Sequence, residues 1–156
     1  MEIVNRRIRF GGGRQVPVMQ IIHAMGEWIK DDDGKIYSAE EWLAKLRLSA
    51  HFLVTPSGVI IQLRDIEEIA YHAKNYNVGT VGTEYLVSGV YNYGTFLEAI
   101  KRPYLTSEQF DAGAELSIML TEQGVMDIDR HDFLDPSRKK DPGLGFPWEE
   151  HLKAVA

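Results

Sequence analysis

A chain of 156 residues is long enough for one domain with its own core and too short for two ordinary ones. Its 44% hydrophobic and 26% charged residues are globular proportions, which excludes disordered and fibrous classes. A net charge of −6 argues against a phosphate-backbone binder, so no nucleic-acid partner is expected, and the absence of cysteine excludes disulfide scaffolds, thiol nucleophiles and cysteine-ligated metals.

Any metal must therefore be held by His, Asp, Glu or backbone. No apolar run approaches the ~20 residues that cross a bilayer, so no membrane insertion is expected. Met1 to Arg7 lacks the apolar stretch of a signal peptide, and the protein is expected to be cytoplasmic as synthesised. Arg6, Arg7, Arg9 and Arg14 form a local basic cluster, read as a solvated arm.

Gly11 to Gly13 is a flexible turn without the spacing of a phosphate loop. Val16 to Ala24 is β-branched and apolar enough for a buried strand, with Pro17 near its start. Asp31 to Gly34 is a loop. Ser38 and Glu41 form a capping-box pair, which predicts a helix to about Leu46 with Trp42, Leu43 and Leu46 facing inward. His51 to Thr55 and Val59 to Arg64 flank Pro56-Ser57-Gly58 and read as a hairpin. Asp65 and Glu68 suggest a short helix, and Thr80 to Val87 another strand. Thr106 and Gln109 make a second capping box, opening a helix to about Gln123 that Gly124 ends. From Asp129 to Phe146 no period is visible, and irregular stretches of that length in a compact domain are usually functional. A short helix from Pro147 to about Ala154 closes the chain. Strands mixed with helices give an α/β (α+β) fold: a single domain, residues 1–156 with its core at about 16–154, built on a central mixed sheet flanked by helices.

Common catalytic templates are mostly missing. There is no GxSxG elbow and no HExxH, and the Ser49/His51 pair lacks a matching acid or oxyanion motif. The more informative set is His23, His131 and Asp141. His23 ends an apolar strand beside small residues, while His131 and Asp141 lie in the irregular segment. Two imidazoles and a carboxylate can hold zinc with a fourth position open for water. By spacing alone the trio competes with ordinary core or surface histidines.

Four runs carry a resemblance: Ser49-Ala50-His51-Phe52-Leu53-Val54, His72-Ala73-Lys74-Asn75-Tyr76-Asn77, Val81-Gly82-Thr83-Glu84 and Arg138-Lys139-Lys140-Asp141-Pro142-Gly143. Together, from about Gln20 to Trp148, the chain resembles the zinc-dependent type-2 N-acetylmuramoyl-L-alanine amidases. That family includes phage lysozyme-amidases, muropeptide-recycling amidases and peptidoglycan-recognition proteins. The resemblance implies zinc (Zn2+) on His23, His131 and Asp141, a catalytic Glu84, and Lys139 as partner of the oxyanion. It also puts His72 and His51 near the cleft, as substrate-binding or structural residues. Ala50 stands where phage members often carry tyrosine, which matches a glutamate-using branch. Ala24 follows His23 where the family often has a second His or Thr.

The implied reaction is hydrolysis of the amide between the muramic acid lactyl group and L-alanine of peptidoglycan. Three readings follow: a phage endolysin acting on polymeric wall, a cytosolic amidase trimming soluble anhydro-muropeptides, and a non-catalytic peptidoglycan-binding module. The stretch from Ser88 to Tyr104 contains no extended insertion to serve as a sugar lid. On that ground an endolysin, bacteriolytic and antimicrobial, is the main expectation, with peptidoglycan or muropeptide as its partner and a monomer as its state.

Overall fold

The computed structural model describes residues 1–156. Seven strands form one mixed sheet: β1 (Ile3–Asn5), β2 (Met19–Lys30), β3 (Ile36–Ser38), β4 (Phe52–Val54), β5 (Ile60–Gln62), β6 (Thr80–Tyr91) and β7 (Asp127–Arg130). The helices are α1 (Ala39–Lys45), α2 (Tyr93–Ala99), α3 (Ser107–Glu122), α4 (His131–Leu134) and α5 (Trp148–Val155). Spatially the strands run β1-β5-β4-β6-β2-β3. The parallel pair β2 and β6 is the spine. Opposite β6, the other edge of β2 is shared: β7 pairs with Met19–Ile22 in parallel, and β3 with Trp28–Lys30 antiparallel.

Side chains alternate across this sheet, so each strand feeds two layers. Ile22, Val81, Tyr85, Phe52 and Val54 meet Ala112, Leu116 and Leu120 of α3 on one face. On the other, Leu53 and Leu86 pack with Leu43 of α1, Ile8 and Leu63. Both capping boxes form as the sequence predicts, at Ser38/Glu41 and Thr106/Gln109. Gln109 does more than cap. Its amide donates to the carbonyls of Val54 and Leu86, tying the start of α3 to the sheet.

Several expectations change. β2 runs to Lys30, beyond Ala24, because β6 offers backbone partners as far as Tyr91, across a register shift between Gly26 and Trp28. Asp65 to Glu68 is a turn rather than a helix: the Glu68 carboxylate is taken by Arg7 and Arg64. The basic arm is accordingly ion-paired, with Arg6 on Glu40 and Arg14 on Glu67 as well. Leu46 is 47% exposed instead of inward, since it lies at the C-cap, past the last turn of α1. Part of the stretch read as aperiodic is a strand: β7 is only four residues and depends on β2 for its hydrogen bonds.

Candidate metal centre and groove

Register explains how residues far apart in sequence converge. His23 on β2 is paired with Glu84 on β6, so both side chains leave the same face. The ladder between β2 and β7 ends at Ile22 and Arg130, and the residue that follows each is a histidine, His23 still on β2 and His131 opening α4. His23 and His131 therefore stand side by side, ring centroids 4.4 Å apart. Asp141 arrives from the irregular segment between them. Its Oδ2 is 3.3 Å from His23 Nδ1 and its Oδ1 is 3.3 Å from His131 Nδ1. The Ala24 amide donates to Oδ2 at 3.3 Å.

The arrangement has the features of a metal site. Both ring nitrogens of His131 and Glu84 Oε2 are buried without a hydrogen-bond partner, a condition that costs about 1–3 kcal/mol per neutral group unless something satisfies it. One donor atom from each of His23, His131 and Asp141 falls within a 4.8 Å cluster. The 3.3 Å separations run to different oxygens of Asp141, and each is close to the edge of a tetrahedron with arms of about 2.0 Å, the bond length of imidazole or carboxylate to a small divalent transition ion. Protonation states fit as well. Burial drives the His23 pKa down against the pull of Asp141, leaving a neutral ligand. Asp141 is buried, which alone would raise its pKa, but the His131 and His23 imidazoles beside it hold it below the usual carboxylate range. Glu84 is pushed well above that range by burial and by the Asp141 charge.

These groups form the floor of a groove of about 700 Å³. Trp42, Leu46 and Tyr71 line it along with Tyr93, Phe96 and Leu97, and Lys139 is in its lining. The helix α2 contributes the last three aromatic and aliphatic groups, so the stretch from Ser88 to Tyr104, in which the sequence shows no extended insertion, still supplies part of the groove wall. Its capping box uses Asn92 and Thr95, a pair outside the Ser/Thr-to-Glu/Gln pattern that marks the other helices.

A family profile described as N-acetylmuramoyl-L-alanine amidase, Amidase_2, matches residues 13–144. The chain belongs to this amidase family. It is 28% identical over 129 residues to the 1,6-anhydro-N-acetylmuramyl-L-alanine amidase AmpD of Haemophilus influenzae, covering 79% of this chain and 67% of that protein. A crystal structure of a selenomethionine AmpD derivative superposes with a TM-score of 0.76 at 20% identity, over 99% of this chain and 95% of the other. The endolysin amidase LysCS of Clostridium intestinale gives 0.73 at 21%, over 99% and 95%.

In this amidase the Asp141 loop is clamped from beneath. Buried Arg130 makes two hydrogen bonds to Asp132, at 2.6 and 2.7 Å, and a third to the Gly143 carbonyl at 3.0 Å. Asp132 accepts in turn from the Gly143 amide, and the Tyr104 hydroxyl donates to the Pro142 carbonyl. Gly143 has φ +81°, and a Cβ there would lie 2.6 Å from the Ile100 carbonyl oxygen, so only glycine suits this turn. Arg130 and Asp132 escape sequence reasoning; their only signal is that they flank His131.

His51 and His72 have no free ring nitrogen for a substrate. His51 Nδ1 accepts from the Gly82 amide and Nε2 donates to the Glu68 carbonyl, while burial takes its pKa down to about 4. His51 thus ties β6 to the loop after β5. His72 lies in the groove lining, with Nδ1 against His23 and Nε2 against Thr80. Ser49 Oγ accepts from the Tyr71 amide, and no nucleophile pair with His51 exists. Lys140 is exposed, with its ammonium on the Pro136 carbonyl, whereas Lys139 is half-buried.

Proposed function

We propose that this amidase is zinc-dependent and acts on soluble 1,6-anhydro-muropeptides, cleaving the amide between the lactyl group and L-alanine. The observation that carries the chemistry is the cluster of His23, His131 and Asp141 with Glu84 directly across from His23. Similarity in sequence to AmpD supports the soluble substrate over the polymeric wall that the endolysin expectation named. The likeness to an endolysin, at 21% identity, is one of fold alone. A protein of charge −6 is also ill suited to adhere to an anionic wall.

His23, His131 and Asp141 would hold the zinc. When bound, the ion supplies Lewis acidity toward the scissile carbonyl and makes water acidic near neutral pH. Glu84, desolvated and of high proton affinity, takes a proton from the attacking water and returns it to the departing L-alanine amine. Lys139 brings its ammonium to the negative charge that develops on the carbonyl oxygen.

The test compares two substrates, 1,6-anhydro-N-acetylmuramyl-tetrapeptide and intact sacculi, using protein stripped with chelator and then restored with zinc. Mass spectrometry reads peptides bearing a free L-alanine amino terminus. Zinc-dependent release from the soluble substrate, far faster than from sacculi, is expected. Preferential release from sacculi would reinstate the endolysin, and release from neither would leave a binding module.

A further inference from the structure

The hydrogen bonds behind His23 run in one direction only. The Thr80 hydroxyl has a single proton, and it lies 2.7 Å from the Tyr76 carbonyl and 3.1 Å from that of Asn77, both acceptors only. Toward His72 Nε2, 2.9 Å away, Thr80 Oγ1 must therefore accept, and His72 Nε2 must carry hydrogen. The rings packed on His72 are the imidazoles of His23 and His51, and no carboxylate hydrogen-bonds it, so it is neutral and holds one proton. His72 Nδ1 is then a bare acceptor. It sits 2.8 Å from His23 Nε2, which must donate. What remains on His23 is an unprotonated Nδ1, the atom facing Asp141 and Glu84.

We propose that Thr80 and His72 are positioning residues that hold His23 as its Nε2–H tautomer and so keep Nδ1 free to ligate. The inference rests on the reading of His23 as a zinc ligand. Metal-bound histidines commonly donate their second N–H to a carboxylate, a carbonyl or water. Here the partner is a second imidazole, and the relay ends on backbone carbonyls. Orientation is gained without adding negative charge to a site that already contains Asp141 and Glu84. By contrast, His131 has no hydrogen bond on either nitrogen, so one ligand is set in advance and the other is not.

The surrounding sequence is built to seat the relay. A Cβ on Gly82 would fall 2.4 Å from His72 Cγ and 2.5 Å from its Nδ1, so the ring lies directly against bare backbone of β6. The Asn77 side chain accepts from the amides of His72 and Ala73, fixing the turn that carries the ring. Thr80 opens β6, placing its hydroxyl under the ring.

The decisive comparison is Thr80→Val against Thr80→Ser, neither of which touches a proposed ligand. Zinc affinity is measured by competition with a chromophoric chelator, and imidazole tautomers by 15N NMR on zinc-free protein. Zinc binding by His72→Phe should weaken about 10- to 100-fold, the range found when a ligand's outer partner is lost; Thr80→Val, one hydrogen bond further out, should weaken it by a smaller but measurable factor, whereas Thr80→Ser should bind like the parent. His72→Asn, whose amide oxygen can still accept from His23, should retain more affinity than His72→Phe. In the parent, His23 should show a protonated Nε2 and a bare Nδ1, and Thr80→Val should lose that single tautomer. Unchanged zinc affinity in Thr80→Val, or a proton on His23 Nδ1 in the parent, would overturn the proposal. If the parent bound no zinc, the metal reading would fail, and the NMR would still decide the tautomer.

Discussion

His151 offers a sharp test of the core because it lies outside the groove and its protonation is opposed on every side. The Ser117 hydroxyl donates to Gln20 at 2.7 Å, so toward His151 Nε2, at 3.2 Å, it can only accept. His151 Nδ1 has no partner at all, and the ring is packed among Tyr85, Phe110 and Phe146. Adding a second proton would bury a cation facing nothing, and burial accordingly lowers the pKa from 6.5 to about 4. The unfolded chain therefore binds the proton first. Stability is intact above pH 6.5 and is lost as pH falls toward the folded value, with a slope of about 1.4 kcal/mol per unit. Integrated, His151 alone withdraws about 2 kcal/mol by pH 5 and about 3 kcal/mol by pH 4. His151→Gln keeps an N–H for Ser117 and does not titrate. Urea unfolding of both proteins from pH 7 to pH 4, with chelator present, isolates the contribution, since the other titrating groups cancel in the difference. The parent should lose about 3 kcal/mol more than the variant over that range. Parallel profiles would refute the argument that this imidazole is trapped neutral.

The groove gives three further expectations. Asp141→Ala should lose zinc and activity together, because the carboxylate bridges the two histidines; metal analysis beside a turnover assay checks this, and full activity without metal would remove the site. Glu84→Gln should still bind zinc while turnover falls by about 10²- to 10⁴-fold, and a normal rate would mean that another group moves the proton. Lys139→Met should lower kcat more than it raises KM; an effect on KM alone would place the ammonium on bound substrate rather than on the developing oxyanion.

Much of the scaffold is written locally. The capping boxes of α1 and α3 and the turn at Pro56-Ser57-Gly58 rest on contacts within four residues, which is why sequence patterns find them. The candidate ligands were also legible, as ordered motifs that resemble a family. What sequence patterns could not reveal is the length of β2, the existence of β7 and the wall formed by α2. Each of these is settled by a partner strand or by packing rather than by the segment's own composition. The same limit applies to Arg130 and Asp132, whose grip on Gly143 spans a loop with no period.

The histidines draw the line most clearly. The sequence alone determines that any metal here is held without thiolate, by His, Asp, Glu or backbone, for it contains no cysteine, and it marks which imidazoles are candidates. Composition and spacing do not by themselves separate His23 and His131 from His51 and His72, a division that the sequence makes only through its resemblance to a family, because a histidine's role depends on what its two nitrogens face. That is a matter of strand register: His23 falls opposite Glu84 and beside His131, with Asp141 between them, whereas His51 is spent on backbone and His72 on Thr80 and His23. Register is set across the sheet by hydrogen bonds between distant segments, so only the tertiary structure decides which histidines keep a lone pair for chemistry.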